Sequence, residues 1–407
     1  MTEIPTSEPD APRLPDFPMA RTTPFEPPPE YANFRRVDPV PQVHIPTGKT
    51  PRLITRYAQV RAFLTDPSVS SDIRLPAFPA MGAGEQEAGA EARPFIRTDP
   101  PEHTKYRRML QAEFTLRRTE ALRQPVRTKI SQQLDAMEDA GPPADLVADY
   151  ANVISTATVL SLFGAPTDDL EFFRDVTRVS GGRNSTPEEV NAALGNLFSV
   201  LGALVAERQR NPGDDLLSAL ATNYLEPGLV TMPELLATVG ITIVAGRETT
   251  TSMITLGALY LSRHPDLRSR LAADPSLWPA VVEELLRVLS VADSIPLRVT
   301  TTDTLVGDTV IPAGEGAIAL LAAANHDPDE FPDPTEIDPD RGPRHHVAFG
   351  HGIHQCLGQS LARLELHEAL AGLFARFPGL AATTPFENLD VKPDSATYGL
   401  ESLPVTW

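Results

Sequence analysis

The residues with the most chemical potential sit close together near the C-terminal end, in the stretch Phe349 to Gly358, which reads FGHGIHQCLG. Cys356 is the only cysteine among 407 residues, and a helical pattern follows it from Gln359 to about Arg376. A cysteine just ahead of a helix N-terminus faces unpaired backbone N–H groups and the positive end of the helix dipole, so its thiolate is favoured. Gly350, Gly352 and Gly358 let the backbone turn sharply and let a flat group approach the sulfur with no Cβ in the way. Three uses of such a sulfur stay open at this level. It is a buried structural residue, a nucleophile partnered by a histidine such as His354, or a metal ligand that draws on His345, His346, His351 and His354.

A second chemical cluster lies about a hundred residues upstream. Thr231 and Glu234 form a capping box around Pro233, and the helix they open runs to about His264, where Pro265 ends it. At 1.5 Å per residue such a helix is about 50 Å long, enough to cross a whole domain. Midway it reads AGRETTT, where a glycine and three β-branched residues beside a carboxylate invite a kink or bulge. Ala245 and Gly246 leave room for a small ligand, and Glu248 with Thr249 offers an acid and a hydroxyl for moving protons. Without a ligand the same cluster is a packing site in which threonines bond back to helix carbonyls. Glu284 and Arg287 lie i, i+3 on a further helix, from about Ser276 to Leu289, and as a lone pair they carry little weight.

Taken together these segments resemble the cytochrome P-450 superfamily. Phe349, Gly352, Cys356 and Gly358 match the haem-thiolate loop; the acid and threonine of the long helix, the Glu284/Arg287 pair and Arg341 follow the family's order over roughly residues 95–407. The resemblance implies a mainly α fold with small β-sheets (α+β), one domain spanning 1–407, and a long central helix over haem b. Cys356 is then the proximal iron ligand, whose electron push favours O–O cleavage. His103, Arg107, Arg298 and His354 become propionate partners, Phe349 packs under the macrocycle, and Ala245, Gly246 and Gly358 border the cofactor. Glu248 and Thr249 deliver protons, while Glu284, Arg287 and Arg341 form a structural triad. Arg247 departs from the histidine or aspartate expected before the acid and bears on the water path.

The implied reaction inserts one oxygen atom of O2 into an apolar small molecule by hydroxylation or epoxidation, in the manner of soluble, actinomycete-type enzymes. A macrolide or other polyketide, another secondary metabolite or a steroid-like compound fits this class. Ile96, Ile241, Val244, Ile295 and Tyr398 are the pocket candidates, with Arg74, Arg93 and Arg183 at the rim. No flavin- or ferredoxin-like region accompanies the motifs before Trp407, so a separate ferredoxin and its NAD(P)H-dependent reductase are the expected electron donors. The rival readings are a haem-thiolate binding protein without oxygenase activity, a non-haem His/Cys metal site and a cysteine hydrolase.

Composition constrains the partners. A net charge of −19 disfavours nucleic acid and anionic membrane. From His103 to Lys129, however, eight Lys or Arg face two acids, a local balance of +6. Together with Arg344 and its neighbouring histidines this stretch is the expected docking patch for an acidic protein. The first 45 residues are proline-rich and read as an extended segment, without the basic and apolar regions of a signal peptide. No run near 18 apolar residues is evident, so the expectation is a soluble, cytoplasmic monomer. Gly48-Lys49-Thr50 mimics the end of a phosphate-binding loop, but Val43 stands where that loop needs its first glycine. The segment Pro76 to Ala92 reads as a mobile loop.

Overall fold

The computed structural model describes residues 14–165, 170–342, 345–392 and 395–407, and helices dominate it. In chain order they begin with α1 (Pro29–Val37), α2 (Tyr57–Thr65), α3 (Ala83–Ala92), α4 (Glu102–Gln111) and α5 (Leu116–Ala121). Next come α6 (Arg123–Ala140), α7 (Asn152–Leu162), α8 (Leu170–Ser180), α9 (Pro187–Arg210) and α10 (Leu216–Leu220). The last are α11 (Met232–Arg263), α12 (Pro265–Ala273), α13 (Trp278–Leu289), α14 (Leu321–Asn325) and α15 (Gln359–Arg376). The strands are short: β1 (Arg52–Ile54), β2 (Val69–Ser70), β3 (Ala144–Asp145), β4 (Leu297–Thr300), β5 (Thr304–Val306) and β6 (Thr309–Ile311). They are completed by β7 (Gly316–Ala319), β8 (Ala381–Ala382), β9 (Asp390–Val391), β10 (Leu400–Ser402) and β11 (Pro404–Thr406). The fold class is mainly α with small sheets, as the sequence implies.

The capping box at Thr231 and Glu234 forms as expected, and α11 then runs for 32 residues without a break. The anticipated kink or bulge does not interrupt the helix. The hydroxyls of Thr249, Thr250 and Thr251 donate to the carbonyls four residues back, which satisfies them inside the helix. The C-terminal half of α11 packs with α6, α7, α13 and α15 in one apolar core, and the N-terminal half packs with α4, α7, α8, α9 and α10 in another.

Four strands in the order β1-β7-β4-β2 make the largest sheet, with β1 and β7 parallel and the other pairs antiparallel. Upstream of β1 the extended segment makes isolated bridges only, Gln42 to Arg52 and Asp16 to His44.

Two segments read as irregular are helical. Pro29 opens α1, where its missing N–H costs nothing and its fixed φ suits the first turn. In α3 the glycines are contact points rather than breaks. A Cβ on Gly84 would lie 2.7 Å from Val190 Cγ2, and one on Gly89 would lie 2.5 Å from Ile73 Cδ1. The sequence reading of membrane potential also changes. By length and composition α9 is apolar enough to cross a bilayer, with mean hydropathy 1.4 over an 18-residue window. Here it lies against α3, α8 and α11, and Val190, Leu197, Leu201 and Val205 are buried.

The triad predicted from sequence assembles. Arg287, fully buried, donates to both oxygens of Glu284 at 2.8 Å and to the carbonyls of Asn325, Pro334 and Glu336. Arg341 Nε reaches Glu284 Oε2 at 3.0 Å. The network ties α13 to the irregular segment that precedes the Cys356 loop. Removing one partner of such a buried pair leaves an uncompensated charge, so Arg287→Met should cost about 3–5 kcal/mol in denaturant unfolding. A cost below about 1 kcal/mol would show that the network is dispensable.

Candidate active site

The Cys356 loop is held from three sides. Its own backbone closes through the Cys356 N–H donating to the Phe349 carbonyl at 2.8 Å. Gly350 and Gly352 adopt φ of +70° and +74°, which side chains disfavour. At Gly352 a Cβ would stand 2.3 Å from the Leu64 carbonyl oxygen, so the loop lies directly on the end of α2. On the third side Arg107, from α4, donates to the Gln355 carbonyl at 2.7 Å. Gly358 is different, since its φ is −82° and a Cβ would meet Phe114 at an ordinary 3.7 Å. Phe349 lies under the guanidinium of Arg363, 4.6 Å from ring centroid to carbon, and that arginine also grips Glu283.

Burial pushes the Cys356 thiol above its ordinary range, against the pull of the Gly358 N–H, Arg107 and Arg363. The Gly358 N–H and the two arginines thus favour the thiolate that the sequence suggested, while burial opposes it.

Beside this loop the fold gathers a cluster of buried donors. His103 and His354 lie with ring centroids 4.1 Å apart. Both ring nitrogens of His103 and Nδ1 of His354 are buried without a hydrogen-bond partner, while His354 Nε2 meets Ser71 Oγ at 3.0 Å. Arg298 is buried in β4 and donates to the carbonyl of Leu297 at 2.8 Å. Desolvation, with Arg97 nearby, lowers its pKa to about 9. Burial likewise lowers His354 to about 2, helped by Arg298 and His103, and His103 to about 4, helped by Arg107. Asp99, the nearby carboxylate, is already engaged by Ser70 Oγ and by the Ser71 N–H. A concave set of cations and imidazoles with unanswered donors suits a ligand with anionic groups at its edge.

Across α11, Ile241, Ala245 and Thr249 recur at i, i+4 and i+8 along one face; Ala245 is exposed and Ile241 and Thr249 are only half-buried, although most of the helix is buried. Val244 and Ile96 flank this face, packed at the edge of the second core. Gly246 departs from expectation: a Cβ there would lie 3.2 Å from Val159 Cγ2, so its smallness serves the approach of α7 rather than a ligand. Glu248 is gripped by cations at both oxygens, Arg247 Nη2 at 2.6 Å and Lys392 Nζ. Arg247 itself is buried and reaches Asn152 of α7 and Thr177 of α8. Ile295 and Tyr398 are half-buried, and the Tyr398 ring lies under Arg21, 4.1 Å from the guanidinium carbon.

The rival zinc set does not come together. His346 bonds Glu283 and His354 bonds Ser71, and among the described residues no group of three or more His, Cys, Asp or Glu is disposed to hold a metal ion. Arg344 lies outside the described residues.

With this geometry in view, comparison with known proteins decides the family. A family model described as Cytochrome P-450 matches residues 274–391. The pentalenic acid synthase of Streptomyces avermitilis is 41% identical over 391 residues, 96% of this chain and 97% of the relative. The chain belongs to the cytochrome P-450 superfamily. The crystal structure of CYP105N1 from Streptomyces coelicolor, described as an oxidase in the coelibactin siderophore biosynthetic pathway, matches with a TM-score of 0.90 and 57% identity, covering 97% of this chain and 99% of that one. The mycinamicin VIII C21 methyl hydroxylase of Micromonospora griseorubida matches with a TM-score of 0.91 and 36% identity, covering 97% and 100%. This cytochrome P-450 is accordingly a monooxygenase of the bacterial, actinomycete type, and its family implies a haem-thiolate iron cofactor. The residues fit that group: a lone loop sulfur whose thiolate is met by the Gly358 N–H, Arg107 and Arg363, unanswered donors at one edge, and a partly open face on α11.

Arg97 was missed by sequence reasoning, although it lies only six residues before His103 and could have been grouped with it. Lys392 carried no local signal, being 144 residues from the carboxylate it pairs with. For the loop itself the glycines make a graded prediction. Gly352→Ala should lower stability by more than the ~1–2 kcal/mol of its backbone conformation alone, Gly350→Ala by about that amount, and Gly358→Ala least. Thermal unfolding of the three variants side by side checks the order.

Proposed function

We propose that this cytochrome P-450 hydroxylates or epoxidises an apolar secondary metabolite, using O2 and electrons delivered by a separate ferredoxin and its NAD(P)H-dependent reductase. Cys356 would ligate the haem iron, and His103, Arg107, Arg298 and His354, joined by Arg97, would hold the propionates. The buried donors that find no partner within the protein, His103 above all, carry this assignment. Phe349 and the Gly358 N–H would border the sulfur, and the N–H would limit its charge. When bound, haem supplies oxygen activation and the oxidant; the protein supplies orientation, dryness and protons. Ile96, Ile241, Val244, Ala245, Ile295 and Tyr398 would line an apolar pocket, which favours a largely hydrocarbon substrate. Relatives as different as a mycinamicin VIII methyl hydroxylase and an oxidase of a siderophore biosynthetic pathway place a range of natural-product skeletons within this class.

Protons would pass through Glu248 and the half-buried Thr249 hydroxyl, which donates to the Ala245 carbonyl at 2.9 Å. A cytoplasmic, monomeric single domain is the setting that goes with this reading. The test has two steps. Reduced protein treated with carbon monoxide should show the red-shifted Soret band of a thiolate-ligated ferrous complex, lost in Cys356→His; a protein without that band ends the proposal. Thr249→Ala should then keep the band and substrate binding while product per NAD(P)H falls on the order of 10²-fold and peroxide rises. Full coupling in that variant would remove Thr249 from the proton path.

The ferredoxin surface is narrower than the sequence suggested. Arg118 pairs with Glu113 and Asp214, Arg123 with Glu120 and Glu368, Arg127 with Glu368, and Lys105 with Glu234. Among the described residues Arg108 and Arg117 are exposed and have no ion-pair partner, and Leu116 and Ile353 are exposed on α5 and the Cys356 loop. Neutralising Arg108 and Arg117 together should raise the apparent KM for ferredoxin severalfold at low salt, an effect that fades as ionic strength rises. Arg118→Gln should do less, and an unchanged KM at low salt in the double variant would exclude this face.

A further inference from the structure

Glu248 is tied by two separate routes to a roof made of α8 and the α8–α9 connection. The first runs through Arg247, which holds one carboxylate oxygen at 2.6 Å and reaches the Thr177 hydroxyl at 3.1 Å in the last turns of α8. The second runs through Lys392, which holds the other oxygen. Lys392 directly follows β9, and its N–H donates to the Gly399 carbonyl at 3.0 Å, so it belongs to the β9–β10 hairpin. That hairpin lies on α11 at Gly399, where a Cβ would stand 2.3 Å from Ser252 Oγ. It is tied to the segment after α13 by the Tyr398 N–H donating to Val291 O at 2.9 Å.

The hairpin also reaches the α8–α9 connection. Ser395 forms an antiparallel bridge with Gly182, and the Ala396 N–H donates to Gly181 O at 3.2 Å. On its other side the same connection touches the start of α3, where a Cβ on Gly82 would lie 2.7 Å from Arg183 O. A closed ring therefore links Glu248, Arg247, Thr177, the Gly181–Gly182 connection, the Ser395–Ala396 clasp, Lys392 and Glu248 again. The side chains of Glu248 and Lys392 are only 13% and 12% exposed, so water offers the carboxylate little alternative to its cations.

We propose that Lys392 is a positioning residue for Glu248, and that through the β9–β10 hairpin it makes the orientation of that carboxylate depend on the α8–α9 connection. A carboxylate with cations on both oxygens cannot turn toward Thr249 unless one of them lets go. Of the two, Arg247 is anchored on α7 and α8 by further hydrogen bonds, whereas Lys392 sits on a two-stranded hairpin clasped to the roof. A roof displaced by substrate shifts the hairpin, and Lys392 releases the acid. The catalytic consequence rests on the proposed proton path through Glu248, but the physical tie does not.

Hydrogen exchange on the haem-loaded protein tests the tie directly. Lys392→Met and Glu248→Gln, which cut the same link from opposite ends, should each speed exchange of the Ala396 amide severalfold, while Lys392→Arg restores the wild-type rate. An unchanged Ala396 rate in both cut variants overturns the proposal, as does faster exchange in Lys392→Arg equal to that in Lys392→Met. Product per NAD(P)H gives the second readout. Lys392→Met should lower it with little change in substrate affinity. If Glu248→Gln and Thr249→Ala uncouple the reaction while Lys392→Met does not, the positioning role fails and the proton path stands. If both cut variants loosen Ala396 and neither uncouples, the tie is confirmed and the proton path fails instead.

Discussion

Placing Arg298 and His103 out of water, with the half-buried His354 and Cys356 beside them, costs desolvation free energy that the neighbouring protein groups do not return. Arg298 has only a main-chain acceptor, His103 has no acceptor at all, and Asp99 is committed to Ser70 and Ser71. Cys356 has the opposite difficulty, since burial disfavours the thiolate. A single ligand that is cationic at its centre and anionic at its edge resolves both. Much of the surrounding fold can be read as the scaffold that keeps these groups in place until it binds. The four-stranded sheet presents Arg298 and, through β2, Ser71; α4 presents His103 and Arg107; α2 supports Gly352.

The second organising element is α11, whose role changes along its length. Its ends are packed in two cores, and its middle leaves one face partly open at Ile241, Ala245 and Thr249. Thr249, Thr250 and Thr251 keep that stretch helical by bonding inward. On the flank Gly246 brings α7 close, which places Asn152 within reach of Arg247. Arg247, where the family resemblance led one to expect histidine or aspartate, is thus an anchor between α7, α8 and Glu248 rather than a group facing the partly open side.

Surface electrostatics follow the same logic of pairing. Eight basic residues between His103 and Lys129 look like one patch when counted along the chain, but Arg118, Arg123 and Arg127 spend their charge on Glu113, Asp214, Glu120 and Glu368. What remains exposed is smaller and lies near the Cys356 loop, with Leu116 and Ile353 adding apolar contact. Arg108 and Arg117, exposed and without an ion-pair partner among the described residues, keep their charge available to solvent.

Local patterns carried the chemistry legibly. The spacing of Phe349, Gly352, Cys356 and Gly358, the capping box at Thr231 and Glu234, and the Glu284/Arg287 pair each depend on neighbours within a turn or a loop, so the chain order alone reveals them. The same local reasoning failed at α3, because glycines that look like breakers are contact points with Val190 and Ile73, and at Gly246, whose neighbour Val159 is far away in sequence. Only the tertiary structure decided that burial opposes the Cys356 thiolate, that Arg97 joins the cationic cluster, and that Lys392 reaches across 144 residues to Glu248. The physical reason is common to all three. Burial and charge pairing depend on what the fold brings within a few ångströms, and sequence separation says little about that distance.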